Sequence, residues 1–279
     1  PLDRLARTAQ ALGAGDLRAR TGIVRRDELG TVAHSFDEMA DRVEKLLRSQ
    51  TELVANVAHE LRTPLARIRV ALDLADAGDA AVARESLAEI AEDLGELEAL
   101  VDDVLAAARI DLADGTVRTG APTLHVTALD VSELARGAAE RLRHRHPGRT
   151  VEVAAEPGLP PVEGDAVLLR RALDNLLDNA RKYSPPDAPI HVRVARHGPG
   201  VVLRVIDAGE GIAPEDLPRL FTPFFRGDRS RARKTGGVGL GLSLARRIVE
   251  AHGGTLVAES TPSAGTTMTV ALPGTAAAP

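Results

Sequence analysis

The residues of this 279-residue chain that suit chemistry gather in a few short segments. His59 stands in the run Asn56-Val57-Ala58-His59-Glu60-Leu61-Arg62-Thr63-Pro64. It lies two residues from both Val57 and Leu61, so helical geometry turns it off the apolar stripe to which they belong. An imidazole beside the Glu60 carboxylate can be hydrogen-bonded and made more basic, which suits a nucleophile or proton carrier. Thr63 lies four residues on, along the same helical face. Pro64 removes a helical hydrogen bond to the Glu60 carbonyl and predicts a bend just after the histidine. A surface histidine on a kinked helix is the plainer reading of the same pattern.

Asn175 and Asn179 are four residues apart and share a helical face, with Lys182 three residues further and Tyr183 beside it. Asparagine is a poor interior helix former, so two on one face call for a polar partner such as a metal-bound phosphate, or simply for solvent. Asp207-Ala208-Gly209-Glu210-Gly211 follows the strand-like run Val201–Ile206. The carboxylate could accept from a ligand amine, and the glycines permit close backbone approach, although a strand ending in this way is often only a turn. Gly237-Val238-Gly239-Leu240-Gly241 opens a helical pattern, and a glycine-rich helix N-terminus is an anion cradle. It lacks the Lys-Ser/Thr of a Walker A loop, and no strand leads directly into it as a Rossmann turn requires. Five basic residues lie between Arg226 and Lys234, just after the cluster Phe221, Phe224 and Phe225. A lid over a polyphosphate accounts for the glycines, the bases and the phenylalanines together. The other histidines lack metal-ligand spacing.

The elements that must position these groups divide at Asp111–Pro122, a turn-rich segment. Before it, Ala, Leu, Glu and Arg dominate and favour helix. Leu2, Leu5, Ala9 and Leu12 form one stripe, and Leu29, Val32, Phe36, Met39 and Val43 another, with a connector between them. Leu61, Leu65, Ile68, Leu72 and Ala75 continue the pattern. Leu87, Ile90, Leu94, Leu97, Val101, Val104 and Ala108 then form an unbroken heptad seam. The turn Ala77-Gly78-Asp79 makes a helical hairpin of the last two segments. Stripes this wide need a partner, which predicts a homodimer built on four-helix bundles. After the break, helical patterns at Val131–His144, Asp165–Tyr183 and Gly239–Ala251 alternate with strands at Thr150–Ala154, Ile190–Ala195, Val201–Ile206, Thr255–Glu259 and Thr266–Leu272. That is a layered α/β domain.

Composition narrows the function. A net charge of −5 supplies no field for nucleic acid or anionic lipid. The absence of cysteine excludes disulfides, thiolate metal sites and a cysteine nucleophile. The longest apolar run, Val104 to Ala108, is far below the roughly 18 residues that span a bilayer. The chain opens at Pro1 without a methionine, which reads as a fragment of something longer.

Taken in order, these segments resemble a bacterial sensor histidine kinase of a two-component system, over nearly the whole chain. Residues 1–48 resemble a HAMP signal-relay domain, with Gly15-Asp16-Leu17 in its connector and Asp27-Glu28-Leu29-Gly30 entering its second helix. Residues 49–110 resemble the dimerisation and phosphoacceptor hairpin, with His59 to Pro64 as its H-box. A linker, 111–121, precedes a GHKL (Bergerat) type ATP-binding domain, an α/β sandwich at 122–279 with a disordered tail. Its N-box is Asn175 to Tyr183, its G1 box Asp207 to Gly211, its F-box Phe221 to Phe225 and its G2 box Gly237 to Gly241.

The resemblance implies ATP and Mg²⁺ as cofactors and His59 as phosphoacceptor, with Glu60 orienting it and taking its proton. Thr63 would position water for phosphatase action. Asn179 would ligate Mg²⁺, with Asn175 and Lys182 near the phosphates and Tyr183 near the nucleotide. Asp207 would accept from the adenine amino group, and Gly209 and Gly211 would admit the ring. Gly237, Gly239, Leu240 and Gly241 would form the lid hinge and phosphate cradle, and Arg226 would bring a lid charge to the γ-phosphate. The implied partners are a second copy of the chain and the receiver domain of a response regulator, not nucleic acid. Missing upstream helices would anchor this cytoplasmic portion to the inner membrane. The chain departs from the family in Ala208, where Asn or Thr is frequent, and in Val238, where Thr is frequent. A GHKL ATPase of the MutL or gyrase kind, and a degenerate kinase serving as a dimeric scaffold, are the competing readings.

Overall fold

Apolar residues spaced three and four apart make the first part of the chain helical. The computed structural model describes residues 1–76, 80–113, 124–225 and 239–274, with some helical positions, His59 and Glu60 among them, described by backbone alone. The turn at Ala77-Gly78-Asp79, most of the expected linker and the tail after residue 274 lie outside the described residues. The chain folds as two units, Pro1–Arg67 and Ile68–Pro279.

In the first unit, α1 (Leu2–Gly13) and the start of α2 (Glu28–Asp76) are joined by an extended connector. Asp37 of α2 holds that connector. Its carboxylate accepts from the Thr21 N–H at 2.6 Å, the Thr21 hydroxyl at 2.8 Å and the Gly22 N–H at 3.2 Å. Burial works to raise this carboxyl, but those donors and the nearby Arg20 charge outweigh it and hold it below the usual carboxylate range. Arg20 reaches Asp41 at 2.7 Å and Glu44 at 2.6 Å. Gly30 is required where it stands, since a β-carbon would lie 2.2 Å from the Arg25 carbonyl oxygen.

In the second unit, α3 (Ala80–Ala113) runs into the segment expected as linker. Strands β1 (Val126–Leu129), β2 (Val151–Ala155), β3 (Val162–Asp165), β4 (Ile190–His197), β5 (Gly200–Asp207), β6 (Thr255–Thr261) and β7 (Gly265–Leu272) follow. Helices α4 (Val131–Arg145), α5 (Ala166–Tyr183) and α6 (Gly241–Ala251) lie among them. The main sheet has the order β2-β4-β5-β7-β6, with β2 and β4 parallel and the other neighbours antiparallel. Alternation along its strands sends Ile190, Val192, Val194, Val201, Leu203, Val205, Met268 and Val270 into the core that α4, α5 and α6 cover. Ala106 and Ile110 of α3 join that core. Bundle helices are thus followed by an α/β sandwich.

Two strands escape sequence reasoning. β1 and β3 pair in a separate two-stranded ribbon, and β3 reads Val-Glu-Gly-Asp, a poor strand pattern. The periodicity also placed the start of two helices early: Asp165 is the N-cap of α5, and Gly239 precedes α6.

Candidate functional site

α5 forms because Leu168, Leu169, Ala172, Leu173, Leu176, Leu177 and Ala180 make one buried face. Its N-cap Asp165 accepts from the Val167 N–H at 2.9 Å and the Leu168 N–H at 3.2 Å. The half-buried face carries Asn175, Asn179 and Lys182. The Asn175 amide donates to Asp103 of α3 at 3.1 Å and to the Gly241 carbonyl at 3.2 Å, which places the start of α6 beside it. Arg171 donates to the same Asp103 oxygen at 2.7 Å. Asp178 is clasped between Lys182 and Arg181, each at 2.8 Å. Burial works to raise its carboxyl, yet the two cations hold it below the ordinary range. Among the described residues, Asn179 has no side-chain hydrogen-bond partner.

Asp207 ends β5 in the sheet interior and is 7% exposed. Its carboxylate accepts from the Gly209 N–H at 2.8 Å. Burial pushes the carboxyl up against the pull of the Gly209 and Thr266 N–H groups and the Arg149 charge. At two positions of the loop after it a side chain does not fit. A β-carbon at Gly209 would stand 2.3 Å from the Tyr183 carbonyl oxygen, and one at Gly211, whose φ is +68°, would stand 2.1 Å from that of Thr261. Tyr183, at the end of α5, is 38% exposed. Its carbonyl accepts from the Glu210 N–H at 3.3 Å, which fastens this loop to α5.

The third wall is the start of α6. The Leu240 N-cap makes no side-chain capping bond, unlike Asp130 and Asp165 at α4 and α5. Among the described residues no side chain caps the first N–H groups of α6, which stand at the positive end of the helix dipole, where an anion is favoured. The Gly239 carbonyl accepts from the Phe224 N–H at 3.0 Å, and both residues have positive φ. Arg219 lies 4.7 Å over the Phe225 ring and Arg246 5.3 Å over that of Phe221, so part of the phenylalanine cluster is held by cations.

The fold therefore brings Asn175, Gly241 and their neighbours together, and fastens Tyr183 to the loop of Asp207, Gly209 and Gly211. Thr63 is exposed on α2. The side chains of His59 and Glu60, and all of Arg226 and Gly237, lie outside what is described. Sequence reasoning missed Asp103 and Arg171, which join α3 to α5, and Arg149, which carries no motif. It set His252 aside as no metal ligand; the ring accepts from the Asp165 N–H at 2.9 Å and lies 2.6 Å from the Ile248 carbonyl, tying the end of α6 to the cap of α5.

The donor set fits a purine nucleotide. A buried acid stands at the sheet end, backbone lies where a β-carbon would intrude, and among the described residues the first turn of α6 has no side-chain cap. Among the described residues no cluster of three acids or histidines could hold a metal. A magnesium ion held by one amide oxygen, phosphate oxygens and water suits that inventory. No helix among the described residues is long and apolar enough to cross a membrane.

Comparison with known proteins agrees in kind. Residues 1–45 match the HAMP domain, 49–113 the His Kinase A (phospho-acceptor) domain, and 164–276 the Histidine kinase-, DNA gyrase B-, and HSP90-like ATPase. The signal transduction histidine-protein kinase BaeS of Escherichia coli (strain K12) is 32% identical over 274 residues, which are 98% of this chain and 57% of that protein. The chain spans just over half the length of the curated relatives it matches. Full-length ShkA in complex with AMPPNP is 27% identical with TM-score 0.56, over 81% of this chain and 47% of that one. The histidine kinase ThkA in complex with the response regulator TrrA shares the fold at TM-score 0.63 and 24% identity, over 86% of this chain and 66% of that one.

Proposed function

We propose that the chain is a sensor histidine kinase, an ATP-dependent protein histidine kinase acting on a response regulator. The observation that carries the reading is the buried Asp207 carboxylate at the end of β5, with glycine-lined backbone in front of it. A carboxylate so placed accepts from the adenine amino group. Asn179, unpartnered among the described residues, would hold Mg²⁺, and Asn175 and Lys182 would stand by the phosphates. The start of α6, from Leu240 and Gly241, offers its N–H groups to phosphate oxygens, with Gly237 and Gly239 as hinges and Arg226 as the lid charge.

Bound ATP and Mg²⁺ supply the activated γ-phosphoryl group. His59 attacks its phosphorus with one imidazole nitrogen, the bond from that phosphorus to the β–γ bridging oxygen breaks and ADP leaves, and Glu60 takes the proton of the other ring nitrogen. Little covalent work is left to the protein, so positioning and charge neutralisation carry the catalysis. The phosphoryl group then passes to an aspartate of the receiver domain and frees His59, and Thr63 orients water for the opposing phosphatase reaction, which hydrolyses that phosphoaspartate to aspartate and inorganic phosphate. The working form is a homodimer: Leu87, Leu94 and Val101 repeat every seven residues on α3 and are exposed in the single chain. The chain is the cytoplasmic portion of a membrane receptor.

The test is incubation with γ-labelled ATP and Mg²⁺, intact chain against His59→Gln. The expected result is acid-labile, base-stable label on the intact chain only. Nucleotide binding with no label on the intact chain would point to a degenerate signalling protein. Phosphate release untouched by His59→Gln would make it a simple ATPase.

A further inference from the structure

The Asn175 amide nitrogen donates to two oxygens that can only accept. One is the Asp103 carboxylate of α3 at 3.1 Å, the other the Gly241 carbonyl at the start of α6 at 3.2 Å. With an acceptor on both sides, the amide can stand only one way round, its nitrogen on these two oxygens. Both N–H bonds of the amide are then used. Its oxygen is what remains, and among the described residues no donor reaches it. Asn179 stands one helical turn on, along the same face of α5.

Asp103 is itself held in place. Arg171, one turn before Asn175, donates to the same Asp103 oxygen at 2.7 Å, stands 3.7 Å from Asp102 and donates to the Ala99 carbonyl. The Asp103 side chain is 12% exposed and that of Arg171 18%, so the pair is largely shielded from water, where a charge-assisted hydrogen bond is strong. Ala106, three residues on along α3, is buried in the core of the same unit and anchors the helix behind the carboxylate. Asp103 belongs to the hairpin segment and Asn175 to the ATP-binding segment, so these bonds run from one to the other.

We propose that Asp103 is a positioning residue of the nucleotide site: it fixes the Asn175 amide so that its oxygen, not its nitrogen, is offered to the hydrated Mg²⁺ of a bound nucleotide. The inference rests on the reading of this face of α5 as the metal and phosphate face. An amide oxygen takes a cation or the proton of a metal-bound water, whereas an amide N–H takes a phosphate oxygen. Turned the other way, Asn175 would serve the phosphate and not the metal. Asp103 acts through Asn175, and a helix of the hairpin thereby sets how firmly the site holds the metal.

The test measures ADP affinity by calorimetry on the intact chain, with Mg²⁺ and with EDTA in its place. Wild type is expected to bind ADP more tightly with Mg²⁺. Asp103→Ala removes the acceptor and is expected to lose about fivefold of that Mg²⁺-dependent gain, the scale of one hydrogen bond, with the Mg²⁺-free affinity within about twofold of wild type. Asp103→Asn is expected to keep the gain, because both bonds fall on one Asp103 oxygen that an amide oxygen can replace. Asn175→Ala is expected to lose the gain, and adding Asp103→Ala to it to lose nothing further. Should Asp103→Ala fail to fold for want of a partner to Arg171, Asp103→Ala with Arg171→Met removes both charges and takes its place. Equal weakening with and without Mg²⁺ would mean a merely structural tie and would overturn the proposal. So would an undiminished gain in Asp103→Ala, a loss in Asp103→Asn as large as in the alanine variant, or losses that add in the double variant. A wild-type affinity indifferent to Mg²⁺ would instead remove the metal from this site, and this inference with it.

Discussion

Asp207 shows what a single residue gives up to be useful. Burial pushes its carboxyl up, so folding favours the protonated acid, while the proposed function needs the carboxylate. The stabilisation from a raised carboxyl is full below its unfolded pKa and is lost as pH rises through the folded one. At neutral pH the site therefore carries a cost. Asp207→Asn keeps an acceptor for the Gly209 N–H and removes that charge. Its thermal midpoint should rise above wild type at pH 7.5, with the gain vanishing below about pH 4, while ADP affinity falls about tenfold or more. Melting curves at the two pH values and calorimetry check this; a midpoint lowered equally at both would contradict it.

The helices differ in how their first turns are satisfied, and function follows the difference. α4 and α5 are capped by Asp130 and Asp165, whereas α6 begins with an open turn. Asp165 does more than cap: it also accepts from the His125 N–H at 3.1 Å, and its own N–H donates to buried His252. Asp165→Ala should cost about 1–2 kcal/mol, the usual worth of an N-cap, read from urea unfolding of the intact chain. A loss confined to nucleotide binding, with no change in stability, would contradict its role as a cap.

Across the whole molecule, the helical seam is the feature the single chain leaves unsatisfied. Leu94 is 49% exposed and Val101 50%, on a helix whose Ala106 and Ile110 are buried in the core of its own unit. Leu94→Glu with Val101→Glu should convert a sedimenting dimer to monomer and leave ADP affinity within about twofold, since surface changes away from a site cost little. A wild-type chain that sediments as a monomer at tens of micromolar would remove the dimer proposal.

How legible the protein was depended on sequence distance. The leucine face of α5, the alternation of β4 and β5 and the heptads of α3 were readable because their signals recur every two to four residues, which is the period of the backbone itself. The boxes were proposed from glycines and paired polar residues that stand within a few positions of one another. β1 and β3 were not, being short and rich in Asp, Glu and Gly, and their pairing is long-range. Nor was the role of Asp103, whose Asn175 contact lies 72 residues away, or of His252, bonded to a backbone 87 residues away. The sequence by itself determined the helical patterns, the five strands of the main sheet and their order along the chain. Only the tertiary structure decided which buried charges face one another, because burial and long-range juxtaposition exist only once distant elements pack.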